Sequence, residues 1–231
     1  MNAFLEKYRD LGFQHVEGWC DPGLFEVMEC IDSFVSQKDG GCIEIGVHHG
    51  KFFLLLNQLV EERFQSYAID LFEQQELNID FSGQGARSKF EENLRLFDRH
   101  QGRNTTIICG DSTDSSLNLE SKCGLGVSRY ISIDGGHTAE HTISDLRLAN
   151  RLIGNYGIVI LDDILNYHWL GVIEGACAFL TERPTLIPFA IGFNKLFFCK
   201  LSFHNNYLSA LRSNYSDAKL VHFFGHQLIS F

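Results

Sequence analysis

Apolar residues recur along this chain in two rhythms. From Leu24 through Val27, Met28, Ile31, Phe34 and Val35 they return every three or four positions, which predicts an amphipathic helix. Asp21 ahead of it is a capping residue, and Pro22 suits a first helical turn. That helix is expected at the edge of a sheet. Elsewhere the apolar residues come in short unbroken runs, each stopped by glycine or aspartate. They are Cys42-Ile43-Glu44-Ile45 before Gly46, Tyr67-Ala68-Ile69 before Asp70, and Thr106-Ile107-Ile108-Cys109 before Gly110-Asp111. Tyr130-Ile131-Ser132-Ile133 before Asp134 and Gly157-Ile158-Val159-Ile160-Leu161 before Asp162-Asp163 complete the set. Helical stretches near 50–64, 86–99 and 138–153 alternate with them.

Strands this short and apolar on both faces, alternating with helices, predict an α/β fold: a Rossmann-like, doubly wound, mostly parallel sheet. Near the end, Leu186 to Ile191 and Leu196 to Lys200 are separated only by Gly192-Phe193-Asn194, a gap that permits only an antiparallel hairpin. A last strand-like run, Leu220 to Phe224, has no neighbour assigned by this pattern.

With three prolines in 231 residues and no linker-like tract or repeat, one domain is expected. It divides into an N-terminal helical extension over 1–39, a cofactor-binding core over 40–200, and a tail over 201–231 packed on that core. Seven cysteines without paired spacing point to neither a disulfide framework nor a zinc ribbon. A net charge of −10 provides no basic footprint for nucleic acid or anionic lipid. Apolar runs such as Phe52 to Leu56 are far shorter than the roughly 18 residues of a bilayer helix. The first residues carry no basic-then-apolar signal pattern, so a cytoplasmic protein is expected, with a homo-oligomer left open.

Ligands of open parallel sheets bind beyond the carboxyl ends of the strands, and here all five runs end in polar or glycine residues. The turn Glu44-Ile45-Gly46-Val47-His48-His49-Gly50-Lys51 narrows the choice. Three residues, not four, separate its flanking glycines, and Phe52 follows Lys51, so a phosphate-cradling loop is not formed. A dinucleotide fingerprint needs glycine where His48 stands, which leaves an NAD-dependent oxidoreductase as a runner-up. An adenosyl ligand without a pyrophosphate fits the turn, with Asp70 placed to accept hydrogen bonds from a ribose.

These residues resemble the class I S-adenosylmethionine-dependent methyltransferases. The family's first motif matches Glu44-Ile45-Gly46 with Gly50, lacking its middle glycine. The resemblance implies that Asp70 binds the ribose hydroxyls and that Asp111-Ser112 faces the adenine. Ile133-Asp134-Gly135-Gly136-His137, followed by Asp145-Leu146 and by Leu161-Asp162-Asp163, is similar to the metal-dependent macrolide sugar O-methyltransferases and cephalosporin-hydroxylase-like proteins. It implies Asp134, Asp162 and Asp163 as ligands of Mg²⁺ or Mn²⁺ and His137 as catalytic base beside Asp134. Three neighbouring carboxylates do call for a cation, and all-oxygen ligation favours Mg²⁺ or Mn²⁺ over zinc. The expected activity is methyl transfer to a hydroxyl of a small molecule such as a sugar or glycosylated product. The same fold without chemistry, as an adenosyl-binding or partner-binding module, is the third reading.

Competing structural roles accompany several of these residues. Asp134 could cap the helix starting near Thr138, and Asp163 the one after it. Trp169, with Val172, Ile173, Cys177 and Leu180 at helical spacing, is expected in the core rather than as a stacking platform. His48, His49 and His168 are candidates to line the cleft, His168 being the alternative base. The long segment between Leu71 and Arg87 is expected to be a lid over cofactor or substrate.

Overall fold

The computed structural model describes residues 3–35 and 38–231, so Met1, Asn2, Ser36 and Gln37 of the expected N-terminal extension lie outside the described residues. Two helices, α1 (Ala3–Leu11) and α2 (Leu24–Phe34), precede the sheet. The alternating part runs β1 (Cys42–Ile45), α3 (Lys51–Asn57), β2 (Ser66–Asp70), α4 (Arg87–Phe97), β3 (Thr105–Cys109) and α5 (Leu119–Cys123). It continues through β4 (Ser128–Ile133), α6 (Ala139–Leu152), β5 (Ile153–Leu161) and α7 (Leu170–Thr181). The hairpin β6 (Leu186–Gly192) and β7 (Lys195–Lys200) follows, then α8 (His204–Asn214), β8 (Lys219–Phe223) and β9 (His226–Ser230).

The nine strands among the described residues form one sheet in the order β3-β2-β1-β4-β5-β7-β6-β9-β8. The first five pair in parallel. β7 then runs antiparallel to both β5 and β6, giving the expected mostly parallel sheet with its antiparallel hairpin. The unassigned run at 220–224 is β8, which forms a second hairpin with β9 and extends the sheet beyond β6.

Alternation along the strands feeds two separate apolar layers. Cys42, Tyr130, Ile158, Ile160 and Phe197 face a layer that includes Leu5, Met28, Phe53, Phe90 and Leu211, from α1, α2, α3, α4 and α8. Ile43, Ile45, Ile131, Val159 and Phe198 face the other, with Leu119, Leu146, Leu148 and Phe179 from α5, α6 and α7. The helix expected at the sheet's edge, α2, therefore lies on a face. Its stripe Leu24, Val27, Met28 and Ile31 is buried, and burying each such side chain is worth roughly 1.5–3 kcal/mol. The helix expected to reach residue 64 ends at Asn57, whose amide donates to Asp98 at 2.9 Å and to Asn104 at 3.1 Å in a buried polar knot. All seven cysteines are unpaired. Among the described residues, no helix is long and apolar enough to cross a membrane.

Candidate active site

The strand order reverses between β1 and β4, and a cleft of about 550 Å³ opens there beyond the carboxyl ends of the strands. At one end its wall is backbone. Ile45 pairs with Ile133, which brings Gly46 level with Asp134. A Cβ on Gly46 would stand 1.8 Å from the Asp134 carbonyl oxygen, and Gly46 holds φ +82, so only glycine fits this crossing. Two residues on, His48 occupies the left-handed region at φ 51, and its N–H donates to Asp70 Oδ2 at 2.7 Å. Phe72 N–H donates to the other oxygen, Oδ1, at 2.7 Å. Burial raises the Asp70 carboxyl above its ordinary value even though these backbone bonds pull it down. Asp70, Gly110, Asp111 and Ser112 line this end with Gly46 and His48.

Glu44 and Gly50 do not line the cleft. Glu44 alternates with Ile43 and Ile45 and so points into the helical layer beneath, 2% exposed, with Oε2 unpartnered. Burial pushes its carboxyl up to about 8, against the pull of the Lys195 ammonium. Gly50 begins α3 against the Phe90 ring.

The other end is made of side chains. Asp134, His137 and Asp163 each offer a ligand atom, all within 4.8 Å of one another. His137 is held on both sides: Nδ1 lies 2.7 Å from Asp80 Oδ2 and Nε2 lies 2.9 Å from Asp163 Oδ2. Burial disfavours the imidazolium, but the two carboxylates outweigh it and push the group up to about 10. In this arrangement the two carboxylates favour the imidazolium over the neutral imidazole expected near pH 7. Bonds from His137 and Ser82 hold Asp80 well below the usual carboxylate range despite its burial. Asp163 is likewise depressed in spite of burial, by His137 and by the amides of Asn166 and Asn194, each 2.8 Å from Oδ1.

Asp162, expected as a third metal ligand, is not in this group. Its Oδ2 pairs with Lys195 Nζ, and Oδ1 accepts the Asp163 N–H at 2.8 Å. The cause is strand register: Leu161 pairs with Leu196, so the next residues outward are Asp162, just past β5, and Lys195 on β7. Lys195 is 1% exposed, with its ammonium 4.6 Å from the centre of the Phe52 ring. Burial would lower this lysine, but Asp162 and Asp134 outweigh it and raise it. Burial also lifts Asp134 well above the ordinary carboxylate value, reinforced by Asp162 and Asp163.

Asp134 does not cap α6, because Thr138 does so, accepting the His141 N–H at 3.3 Å. Asp163 does not cap α7, which begins after Trp169. Trp169 packs on the second apolar layer, as expected, and also lines the cleft, stacked on His137 with centroids 4.3 Å apart at 15°. His48 lines the cleft, His49 is buried behind it, and His168 is exposed and outside the wall. Sequence reasoning missed Asp80, Asn194 and Lys195. For the last two a signal existed, since a two-residue turn with Phe193 and Asn194 at φ 53 and 63 must deliver its tip beside the end of β5. Nothing local marked Asp80, which reaches His137 from the segment between β2 and α4.

The family profile described as the methyltransferase domain matches residues 43–164 of this chain. Solved structures with the same fold include the O-methyltransferase NovP, at TM-score 0.58 and 13% identity over 77% of this chain and 79% of that one. CalS11, a TDP-rhamnose 3'-O-methyltransferase of calicheamicin biosynthesis, gives 0.56 and 14% over 85% and 86%. An O-methyltransferase from Bacillus cereus in complex with SAH gives 0.56 and 13% over 86% and 90%. No curated protein matches the chain significantly in sequence. The matched span contains Gly46, Asp70 and Asp134 and reaches Ile164, so both ends of the cleft fall inside it, and the chain belongs to the methyltransferase-domain family, as a class I S-adenosylmethionine-dependent methyltransferase.

Proposed function

We propose that the protein is a divalent-metal-assisted O-methyltransferase acting on a hydroxyl of a small molecule such as a sugar or glycosylated product. The observation that carries this reading is the convergence of Asp134, His137 and Asp163 at the end of the cleft opposite Gly46 and Asp70. The donor set fits Mg²⁺ or Mn²⁺, which are commonly held by one or two carboxylates plus water and substrate oxygens. With Asp162 committed to Lys195, Asp134 and Asp163 are the carboxylates that would hold the ion. A bound divalent ion would supply Lewis acidity to the acceptor hydroxyl.

The chain's own residues account for the remaining work. Asp70 would receive the ribose hydroxyls of S-adenosylmethionine and Asp111-Ser112 would face its adenine, the sulfonium supplying the methyl group. Asp80 keeps Nδ1 of His137 engaged. Turning Asp163 away removes one of the two carboxylates that favour the imidazolium, so that His137 gives up its Nε2 proton to solvent and the neutral ring then accepts the proton of the attacking hydroxyl. The oxygen forms its bond to the methyl carbon as the carbon–sulfur bond breaks, leaving S-adenosylhomocysteine, a methyl ether and a protonated His137. Because Asp80 lies between β2 and α4, folding that segment over the cleft and orienting the base are one event. The partner is a small-molecule acceptor and not nucleic acid, in keeping with the acidic charge.

Calorimetric titration of EDTA-stripped protein with S-adenosylhomocysteine, with and without Mg²⁺, tests the reading. Saturable binding of the nucleoside and a separate Mg²⁺ heat that disappears in Asp163→Asn are expected. Nucleoside binding without any Mg²⁺ heat would remove the metal and leave the methyltransferase. Absence of nucleoside binding would overturn the proposed function.

A further inference from the structure

Helix α6 starts beside the Asp111-Ser112 end of the cleft, and its residues His141 and Asp145, four apart, share one side of it. His141 lines the cleft with Nε2 3.6 Å from Asp111 Oδ2. The other oxygen of Asp111, Oδ1, accepts the N–H and the hydroxyl of Thr113, each at 2.8 Å. Asp111 is thus held as an acceptor by its neighbours.

Asp145 stands behind the same wall. It is 1% exposed, and neither of its carboxyl oxygens has a hydrogen-bond partner among the described residues. Its Oδ2 lies 3.3 Å from the point where a Cβ on Gly135 would stand, and Gly135 lines the cleft, so the carboxyl sits directly beneath the cleft surface. Burial pushes this carboxyl up to about 7, against the pull of the nearby Ser112 hydroxyl. A buried carboxyl with both oxygens unspent is costly, and it does not serve to cap α6, which Thr138 does.

A serine hydroxyl both donates and accepts, so by itself it does not distinguish a purine 6-amino group from a 6-oxo group. A carboxylate behind it only accepts. Once the Ser112 proton is turned onto that carboxylate, only the lone pairs of Ser112 Oγ remain for the purine. They accept from a 6-amino group and repel a 6-oxo oxygen.

From this arrangement we infer that Asp145 is a positioning residue for base selection: it takes the Ser112 hydroxyl proton and so makes Ser112 an acceptor for the 6-amino group of adenine. Asp145 is not part of the cleft wall and acts only through Ser112, which is. The inference rests on the S-adenosylmethionine reading of the cleft, with adenine against Asp111-Ser112, and adds to it a source of specificity behind the wall.

The test is calorimetric titration at about pH 8.5, where Asp145 is ionised, with S-adenosylhomocysteine and with S-inosylhomocysteine, which carries a 6-oxo group and an N1–H instead of the 6-amino group. The wild type is expected to bind the adenosyl compound more tightly by about tenfold or more. Asp145→Asn keeps the shape but can donate to Ser112 Oγ, and is expected to reduce that preference about tenfold. Introduced into Ser112→Ala, the same substitution is expected to leave the preference unchanged. A wild-type preference below about tenfold overturns the inference without recourse to any variant. So does an Asp145→Asn protein that retains the wild-type preference, that loses both affinities equally, or that changes the preference just as much in Ser112→Ala. Each of these results, obtained with S-adenosylhomocysteine bound, leaves the methyltransferase reading standing. If S-adenosylhomocysteine does not bind, that reading falls and base selection falls with it.

Discussion

The two ends of the cleft are built in different ways. Around Gly46 and Asp70 the wall is mostly backbone: one tight strand crossing at Gly46, and one carboxylate held by two N–H groups from adjacent turns. Around Asp134 it is a mesh of side chains from distant segments, with Asp80, His137, Asp163, Asn194 and Lys195 supplied by four separate stretches of chain. The first end carries little charge that is not already satisfied by the backbone. The second balances four aspartates against one histidine and one lysine, so its geometry depends on each charge remaining in place. A binding surface made of backbone tolerates changes in neighbouring side chains, whereas a charge mesh transmits each loss to its partners.

Lys195→Met should break that contrast most severely. It leaves Asp162 buried beside Asp134 and Asp163 without its cation, and removing one member of a buried pair costs about 3–5 kcal/mol. Urea unfolding should show the loss, and Lys195→Met combined with Asp162→Asn should recover most of it. A single variant as stable as the wild type would refute the account of the mesh. Asp70→Ala attacks the other end, stranding the His48 and Phe72 N–H groups as well as removing the carboxylate proposed to hold the ribose. About a hundredfold loss of S-adenosylhomocysteine affinity is expected by calorimetry, with Mg²⁺ heat retained.

Asp80→Ala separates the ends more finely. If Asp80 orients His137, turnover falls by about ten- to a hundredfold, the scale of losing a group that orients a functional histidine, while nucleoside affinity changes less than twofold. Loss of affinity equal to the loss of turnover would make Asp80 a structural strut only. A separate test addresses Glu44, beneath the Gly46 end of the cleft. Its carboxyl rises from an ordinary value of 4.5 to about 8 on folding, so the folded state binds more protons than the unfolded state across that window. Stability therefore falls as pH rises from about 4.5 to 8. Glu44→Gln removes this penalty and should raise the melting temperature more at pH 8 than at pH 5; an equal shift at both would show that Glu44 is not titrating there.

Much of the cofactor end was legible in the chain because its determinants are local. A strand, its terminating glycine and an acidic residue after the next strand follow from apolar runs and their stops. The class of sheet followed from the same runs, and the antiparallel hairpin from a gap too short for any crossover. Helix placement was less legible: apolar periodicity shows that α2 buries one stripe, but not that the stripe meets a sheet face rather than its edge. Strand alternation also turned Glu44 away from the cleft although its motif placed it there.

By itself, then, the sequence determined the parallel sheet, the antiparallel hairpin over 186–200 and the ring of polar strand ends, because hydrophobic period and turn chemistry act over a few residues. Only the tertiary structure decided how the aspartates divide. Register places Lys195 opposite Asp162 and so separates it from the Asp134-His137-Asp163 group, and the segment after β2 brings Asp80 to His137. Those pairings join residues 33 and 57 positions apart, where Coulomb attraction and burial act through space and leave no periodic trace in the chain.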